Sequence, residues 1–496
     1  MAAVDDSPRL TRLDIIALTA LLLGVGWAYA RTLAPGVTWA GFGADSGDLV
    51  TAAVTGGVPH PTGYPTYLLL AWLFLALPAA DPAFRVTLIS PLAALLALAA
   101  LYVSVRRLAP AGWPGAAGAV LAALALGLAP LFWSQAVIAE VYALNACFCA
   151  LLLLCALAAR RGPRAMAAQG LLAGLALGNH LTSGLFVLAW LAWQGAHAGA
   201  GWRRRALGGA LLGLAVGLLV YLALPLRAAA RPPVNWGDAR DLAGFTWLVS
   251  GALYRPLSFG LPLEQLSGRV AALAGVLLAQ LGPAGLALAL AGPIFAAPGQ
   301  RRLVALTLGL AGVQAAFALL YDTADSQVYL IPVLLIGSLW LGLAAAALLE
   351  WLRARARVAA PLGAALLVAA LLARAPAAYR AADASADTRA IEFARAVLAA
   401  APPRALVLAA EDRDSFALWY PHYALGQRPD LFVLVEPLLD YPWYRANLPA
   451  VYPGLRVPEP AGRPWAEALA AANPQIAVVC RTALDSQPPL TCEPAR

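Results

Sequence analysis

The sequence predicts a polytopic α-helical membrane protein of about eleven transmembrane helices with a C-terminal soluble α/β domain. Three observations predict it. Hydrophobic residues make up 61% of the 496-residue chain and charged residues only 12%, with a mean hydropathy of +0.73, whereas a soluble globule carries about 25% charged residues. Apolar runs of roughly 20 residues, each able to cross about 30 Å of hydrocarbon as a helix, recur along most of the chain. From Pro376 onward the charge density rises and short apolar runs alternate with helical stretches. The net charge of +8 is carried by arginine alone, since the chain contains no lysine. This composition gives no reason to expect a nucleic-acid partner.

Arginine clusters near helix ends mark the cytoplasmic side and so order the spans. The clusters are Arg9 and Arg12; Arg106 and Arg107; Arg160, Arg161 and Arg164; Arg203 to Arg205; Arg301 and Arg302; and Arg353, Arg355 and Arg357. All can face inward only if an odd number of crossings separates Pro65 from Arg106. Thr66 to Leu77, about 12 residues or roughly 18 Å of helix, is too short to span and is expected to lie along the outer surface as a juxtamembrane helix. The first run, Leu13 to Leu33, is too long for a signal-peptide core and reads as an anchor. The expected spans are 13–33, 84–105, 114–132, 141–159, 165–179, 181–195, 206–226, 280–298, 303–321, 328–350 and 358–375. Ala165 to Trp193 also fits one long tilted helix.

This divides the chain into a membrane domain over 1–375, with outer loops at 34–83 and 227–279, and an extracytoplasmic domain over 376–496. In the latter, Arg404 to Ala410, Asp430 to Glu436 and Gln475 to Cys480 read as buried strands and Thr388 to Ala400 as a helix. A tail of about 120 residues is long enough for its own core. Cys147, Cys149 and Cys155 share one apolar helix, where thiols act as small hydrophobes. Cys480 and Cys492 could pair if the tail faces an oxidising compartment.

The same topology collects the polar residues outside: Asp45, Asp48 and His60; Gln135 and Glu140; Asn179 and His180; Asn235, Trp236 and Asp238; Asp322 and Asp325. Convergence on one face suits a catalytic cavity, although outer loops are also where polar residues belong. Asp45 and Asp48, three apart, would share one helix face. They fit equally an N-cap and an acid favoured by the dipole of a helix over Ser46 to Thr55. His60 lies between Pro59 and Pro61, which hold its backbone extended and aim its ring; the same tripeptide also serves as a plain stiff turn. Glu140 is expected to open a membrane helix, and His180 fits an interhelical hydrogen-bonder. Arg227, on the outer side, reads as a snorkelling charge or as a contact to a lipid phosphate.

Asp45-Ser-Gly-Asp48, Val58-Pro-His-Pro-Thr-Gly-Tyr-Pro65, the Trp133 to Tyr142 segment with Glu140, and Asn235-Trp-Gly-Asp238 carry a resemblance. The chain resembles a bacterial membrane family related to the animal transmembrane O-mannosyltransferase of plexin-type receptors, within the GT-C glycosyltransferases. The resemblance runs from Leu13 into the C-terminal domain. It implies a first outer loop with juxtamembrane helices and an essential acid. The implied reaction moves a sugar, of the mannose type, from a polyprenyl-phosphate carrier to a hydroxyl of a protein or glycolipid acceptor, outside the bacterial plasma membrane.

On that resemblance Asp45 would be the general base, and Asp48 stands where relatives often have glutamate. Glu140 would orient the acceptor or help hold a metal. His60, Tyr64 and His180 would line the sugar pocket, Arg227 would neutralise the leaving phosphate, and Asn235, Trp236 and Asp238 would lie beside the donor. Asp45, Glu140 and His60 offer ligands to Mg²⁺ or Mn²⁺, though nothing in their spacing demands an ion. The competing class is a lipid or solute transporter or flippase; against it, the acids lie in outer loops and no helix shows an obvious buried charge pair. A third is a receptor whose C-terminal aromatic residues, Trp419, Tyr420, Tyr423, Tyr441, Trp443 and Tyr444, bind a glycan or peptide. Core packing accounts for those residues equally well.

Overall fold

The computed structural model describes residues 10–78, 81–157, 162–197, 200–459 and 462–495. Arg9, Arg160 and Arg161 of the inner clusters, and the side chains of Arg203 and Arg204, lie outside that description. A helix coincides with every expected span. Seven are long and apolar enough to cross a membrane: Arg12–Thr32, Pro82–Leu108, Arg205–Ala229, Leu263–Phe295, Arg301–Leu320, Ser326–Arg355 and Ala359–Ala382. Trp113–Gly127 and Pro130–Ala136 form a further apolar pair, bent by 70°. The other three, Tyr142–Ala156, Pro163–Asn179 and Gly184–His197, have 14 to 17 described residues, about 21 to 26 Å of helix. The segment expected along the membrane surface is the short helix Pro65–Leu75.

Small residues set the packing of the bundle. Helix 163–179 lies backbone to backbone on helix 200–218: a Cβ on Gly213 would stand 1.9 Å from the Ala167 carbonyl oxygen, and one on Gly170 2.1 Å from that of Ala210. Lipid removes the hydrophobic drive between helices, so such close van der Waals packing holds them together. Ser326–Arg355 runs through the middle, with 78% of its apolar stretch buried against 22% for Arg12–Thr32.

Two expectations are refined here. The helical run Leu266–Ala291 is broken at Gly282 (φ 71°), just ahead of Pro283, so the expected start of a span near 280 falls on the break, while residues 266–279, placed in the loop at 227–279, are helical as well. Proline lacks the N–H and reads as a boundary, and the Arg374 guanidinium donates to the carbonyls beside the break, that of Gln280 at 3.1 Å and that of Ala279. A buried charge pair also exists: Arg106 Nε lies 2.6 Å from Asp14 Oδ1, and both residues are buried. Arg106 had been read from its position alone as a topological charge.

The C-terminal sheet has the order β2-β1-β3-β4, with β1 Leu406–Ala409, β2 Phe432–Val435, β3 Val478–Thr482 and β4 Leu490–Pro494. β1 runs parallel to β2 and β3, and β4 is antiparallel to β3. The expected strand at Gln475 to Cys480 starts later, and β4 was not foreseen, since only Leu490 of its residues is buried and no alternation marks it. Cys480 stands opposite Cys492 in the β3–β4 register and the two form a disulfide. Helix Arg389–Ala400 precedes β1 and Asp412–Trp419 follows it.

Candidate active site

The chain after helix Arg12–Thr32 turns through a short 3₁₀ segment, Ala40–Asp45, with Gly41 and Phe42 at φ 60° and 64°. Asp387 fastens its start, accepting from the N–H of Trp39 at 3.0 Å and of Ala40 at 2.7 Å. Ser46 ties the turn, its Oγ accepting from Thr38 N at 3.1 Å. Asp45 holds the N-cap position of helix Ser46–Thr55 yet makes no side-chain cap bond. Its carboxylate is therefore left for the cavity, with 32% of the side chain exposed.

Asp48 points the other way and is fully buried. Its Oδ2 accepts from His60 N at 2.9 Å and from His60 Nδ1 at 2.6 Å, and its Oδ1 accepts from Trp236 Nε1 at 3.1 Å. The expected role as a dipole-favoured helix acid therefore understates Asp48, and the two aspartates do not share a face. His60 Nε2 lies 3.5 Å from Asp45 Oδ2, which completes a row Asp48, His60, Asp45. Phe416 stacks on the imidazole at 6.3 Å and Tyr64 meets it edge-on at 5.0 Å.

Burial acts against charge on His60, but the carboxylates of Asp45, Asp48 and Glu140 outweigh it and push its pKa up to about 9. His60 is thus an imidazolium at neutral pH. Asp45 is pushed up to about 7, first by burial; His60 opposes the rise, and Asp412, Asp325 and Asp48 reinforce it. The pair places a carboxylate that titrates near neutrality beside a fixed cation.

A cavity of about 1110 Å³ opens in front of Asp45. Its wall takes His60 and Tyr64 from the first loop, Tyr142, Tyr254, Tyr321, Asp325 and Tyr329 from the membrane domain, and Arg389, Asp412 and Arg413 from the C-terminal region. The sequence reading missed Tyr254, Tyr321, Tyr329, Asp412 and Arg413; the one available sign was the charged run Glu411 to Asp414 directly after a buried strand. Gly47 explains how that region reaches the site. A Cβ there would stand 2.2 Å from the Phe416 carbonyl oxygen, so only glycine lets helix Asp412–Trp419 seat against the first loop.

The remaining expected residues surround the cavity rather than line it. Glu140, 2% exposed, sits in the loop ahead of helix Tyr142–Ala156 and accepts from Val141 N at 3.1 Å. Burial first, and Asp45 second, hold its carboxyl well above the usual range. His180 accepts from Thr182 N at 3.3 Å through Nδ1 and lies behind Tyr142, Tyr329 and Tyr64 with ring distances of 5.6, 5.9 and 6.2 Å. Burial and the nearby His60 lower it to about 4, so it is neutral. Arg227 donates to Gly57 O at 3.1 Å and Ala52 O at 3.4 Å, closing the C-terminal end of helix Ser46–Thr55. Asn235 bonds Asn447 at 3.2 Å, which ties the segment after helix Ala223–Ala229 to the C-terminal region, and Asp238 pairs with Arg240. Among the described residues no group of three or more His, Cys, Asp or Glu side chains is placed to hold a metal ion. Asp45, Glu140 and His60 do not form such a set, because Asp48 occupies His60 Nδ1 and Glu140 is turned to the backbone.

Residues 45–196 match the family described as "Protein O-mannosyl-transferase TMEM260 N-terminal domain". Over 463 residues the chain is 29% identical to protein O-mannosyl-transferase TMEM260 of Mus musculus, covering 84% of this chain and 62% of that protein. Over 147 residues it is 26% identical to the tmem260 protein of Dictyostelium discoideum, covering 29% of this chain and 17% of that one. The chain thus spans less than two thirds of the length of these curated relatives. Among solved structures, ArnT from Cupriavidus metallidurans bound to undecaprenyl phosphate superposes with a TM-score of 0.58 at 15% identity, covering 94% of this chain and 93% of that one. The chain is a helical membrane protein similar to the TMEM260 proteins, matching the model of their N-terminal domain over residues 45–196, and it shares the fold of ArnT.

Proposed function

We propose that this protein is a glycosyltransferase that moves a sugar of the mannose type from a polyprenyl-phosphate carrier to a hydroxyl of a protein or glycolipid acceptor. The observation that carries the reading is Asp45, which is released from capping, paired with His60 and open to the cavity. The names of the TMEM260 relatives and the undecaprenyl phosphate bound to ArnT support the donor and reaction class. The reading takes eleven crossings with an inner N-terminus, an arrangement in which the cavity and residues 376–496 would lie on the outer face of the bacterial plasma membrane.

In the step, Asp45 takes the proton of the acceptor hydroxyl as its oxygen attacks the anomeric carbon. The bond from that carbon to the phosphate oxygen breaks, and its electron pair leaves with the phosphate, so the configuration inverts. His60 favours the ionised form of Asp45 against the burial that opposes it, and fixes its position. Asp48 and Trp236 hold His60, and Glu140 and His180 back the wall that Tyr64 and Tyr142 present to the sugar. No step is routed through a divalent ion, because the candidate ligands do not converge.

The test is transfer by the purified protein in lipid nanodiscs, with radiolabelled mannosyl-phospho-polyprenol and a serine-containing peptide or a glycolipid. Labelled acceptor of inverted anomeric configuration is expected. Retained configuration contradicts the single displacement. Movement of the lipid between leaflets without transfer would replace the reading with a flippase.

A further inference from the structure

The cavity holds few cations, and they differ in what they are free to do. His60 is engaged on both sides by Asp48 and Asp45. Arg389 is paired with Asp387, Nε to Oδ1 at 2.6 Å. Arg227, off the wall, donates to backbone oxygens of Ala52 and Gly57. Arg413 alone among the cavity arginines has no carboxylate within ion-pair distance among the described residues. Its guanidinium lies over the Trp39 ring at 4.6 Å. Stacking on an aromatic face orients a guanidinium without using its N–H groups, so all five donors stay open.

The platform is rigid. Trp39 Nε1 donates to the Arg413 carbonyl at 3.1 Å, Trp39 N donates to Asp387 at 3.0 Å, and the indole packs on Phe393 at 5.5 Å. Trp39 also directly precedes the 3₁₀ segment that ends at Asp45. One short stretch of chain thus sets both the base and the support under Arg413. Topology points to the same place. β1 has β2 on one side and β3 on the other, and Arg413 follows the carboxyl end of β1 after four residues, where open parallel sheets bind ligands at a switch of strand order.

We infer that Arg413, stacked on Trp39, is the phosphate-binding residue of this cavity and receives the phosphate of the donor. The inference rests on the glycosyltransferase reading above. As the bond to the anomeric carbon breaks, the electron pair stays on the phosphate oxygen, the acceptor proton goes to Asp45, and a singly charged phosphodiester becomes a monoester. The guanidinium meets the added negative charge where it develops, with the planar two-point geometry that phosphate oxygens favour.

The test is binding, which needs no turnover. Undecaprenyl phosphate, undecaprenol and inorganic phosphate are titrated against wild type, Arg413→Met, Arg413→Lys and Asp45→Asn in nanodiscs, with thermal unfolding as the folding control. Loss of one charge-assisted contact predicts that Arg413→Met weakens undecaprenyl phosphate binding about 10- to 100-fold. Arg413→Lys should lose less, and Asp45→Asn should bind as wild type does. A lipid and a free phosphate offer the same group, and the two sources separate here: tighter binding of the lipid than of inorganic phosphate, with both weakened by Arg413→Met, assigns the lipid source, and equal binding assigns the soluble one. Unchanged binding in a folded Arg413→Met variant, or undecaprenol binding as tightly as its phosphate, overturns the inference while wild-type transfer would leave the proposed function standing. Wild-type protein that transfers no sugar and takes up neither phosphate ligand overturns both.

Discussion

Gly47→Ala tests whether the C-terminal region is a working wall of the site. The added Cβ would stand 2.2 Å from the Phe416 carbonyl oxygen, 2.5 Å from its carbonyl carbon and 3.0 Å from its Cβ. Carbon and oxygen atoms in contact keep about 3.3 to 3.6 Å apart, so helices Ser46–Thr55 and Asp412–Trp419 must part by about 1 Å. The nearest opposing atoms are backbone, and no flexible side chain can yield in their place. Overpacking of this kind costs about 1 to 3 kcal/mol. The displacement also carries Phe416 off His60 and moves Asp412 and Arg413 away from the cavity. The assay compares thermal unfolding and transfer rate in nanodiscs with those of Gly268→Ala, a helical site with nothing within 4 Å of the added carbon. Gly47→Ala should lose both stability and rate, and Gly268→Ala neither. A Gly47→Ala protein as stable and as active as wild type would refute the docking.

Asp48→Asn removes a buried charge that accepts three hydrogen bonds from His60 and Trp236, so a stability loss of about 3 to 5 kcal/mol in denaturant unfolding is expected, with reduced transfer although Asp48 never reaches the cavity. The transfer rate should rise with pH through about 7 as Asp45 ionises and fall through about 9 as His60 loses its proton; a rate profile flat from pH 5 to 10 contradicts both assignments. The raised pKa of His60 also stabilises the fold fully below about 6.5, and unfolding measured against pH should show that contribution lost as pH rises through about 9. Cys480→Ser opens a 12-residue separation closed by the disulfide, which should cost the C-terminal domain about 2 to 4 kcal/mol, read as earlier unfolding that dithiothreitol reproduces in wild type.

What was legible in the sequence followed from local chemistry. Arginine placement and run length put a helix at each expected span, and Thr66 to Leu77 is a short helix as expected, Pro65–Leu75, whereas helix Leu242–Val249 was not foreseen. The motif around Asp45 and His60 falls on the cavity wall. What was not legible depends on partners distant in the chain. Asp48 takes its meaning from Trp236, 188 residues away, and Gly47 from Phe416. Arg106 reads as an end charge until its helix meets that of Asp14. Arg413 gave no signal beyond the charged run it sits in, since the sequence does not show that Trp39 lies beneath its guanidinium.

The central claim, that Asp45 is the base of a sugar transfer, is tested most directly by Asp45→Asn with kcat and donor Kd measured on the same nanodisc preparation. Asparagine keeps the size of the side chain and cannot take the acceptor proton. Donor Kd should match wild type while kcat falls about 10²- to 10⁴-fold, the usual contribution of a positioned base. Transfer at the wild-type rate by folded Asp45→Asn protein would contradict it.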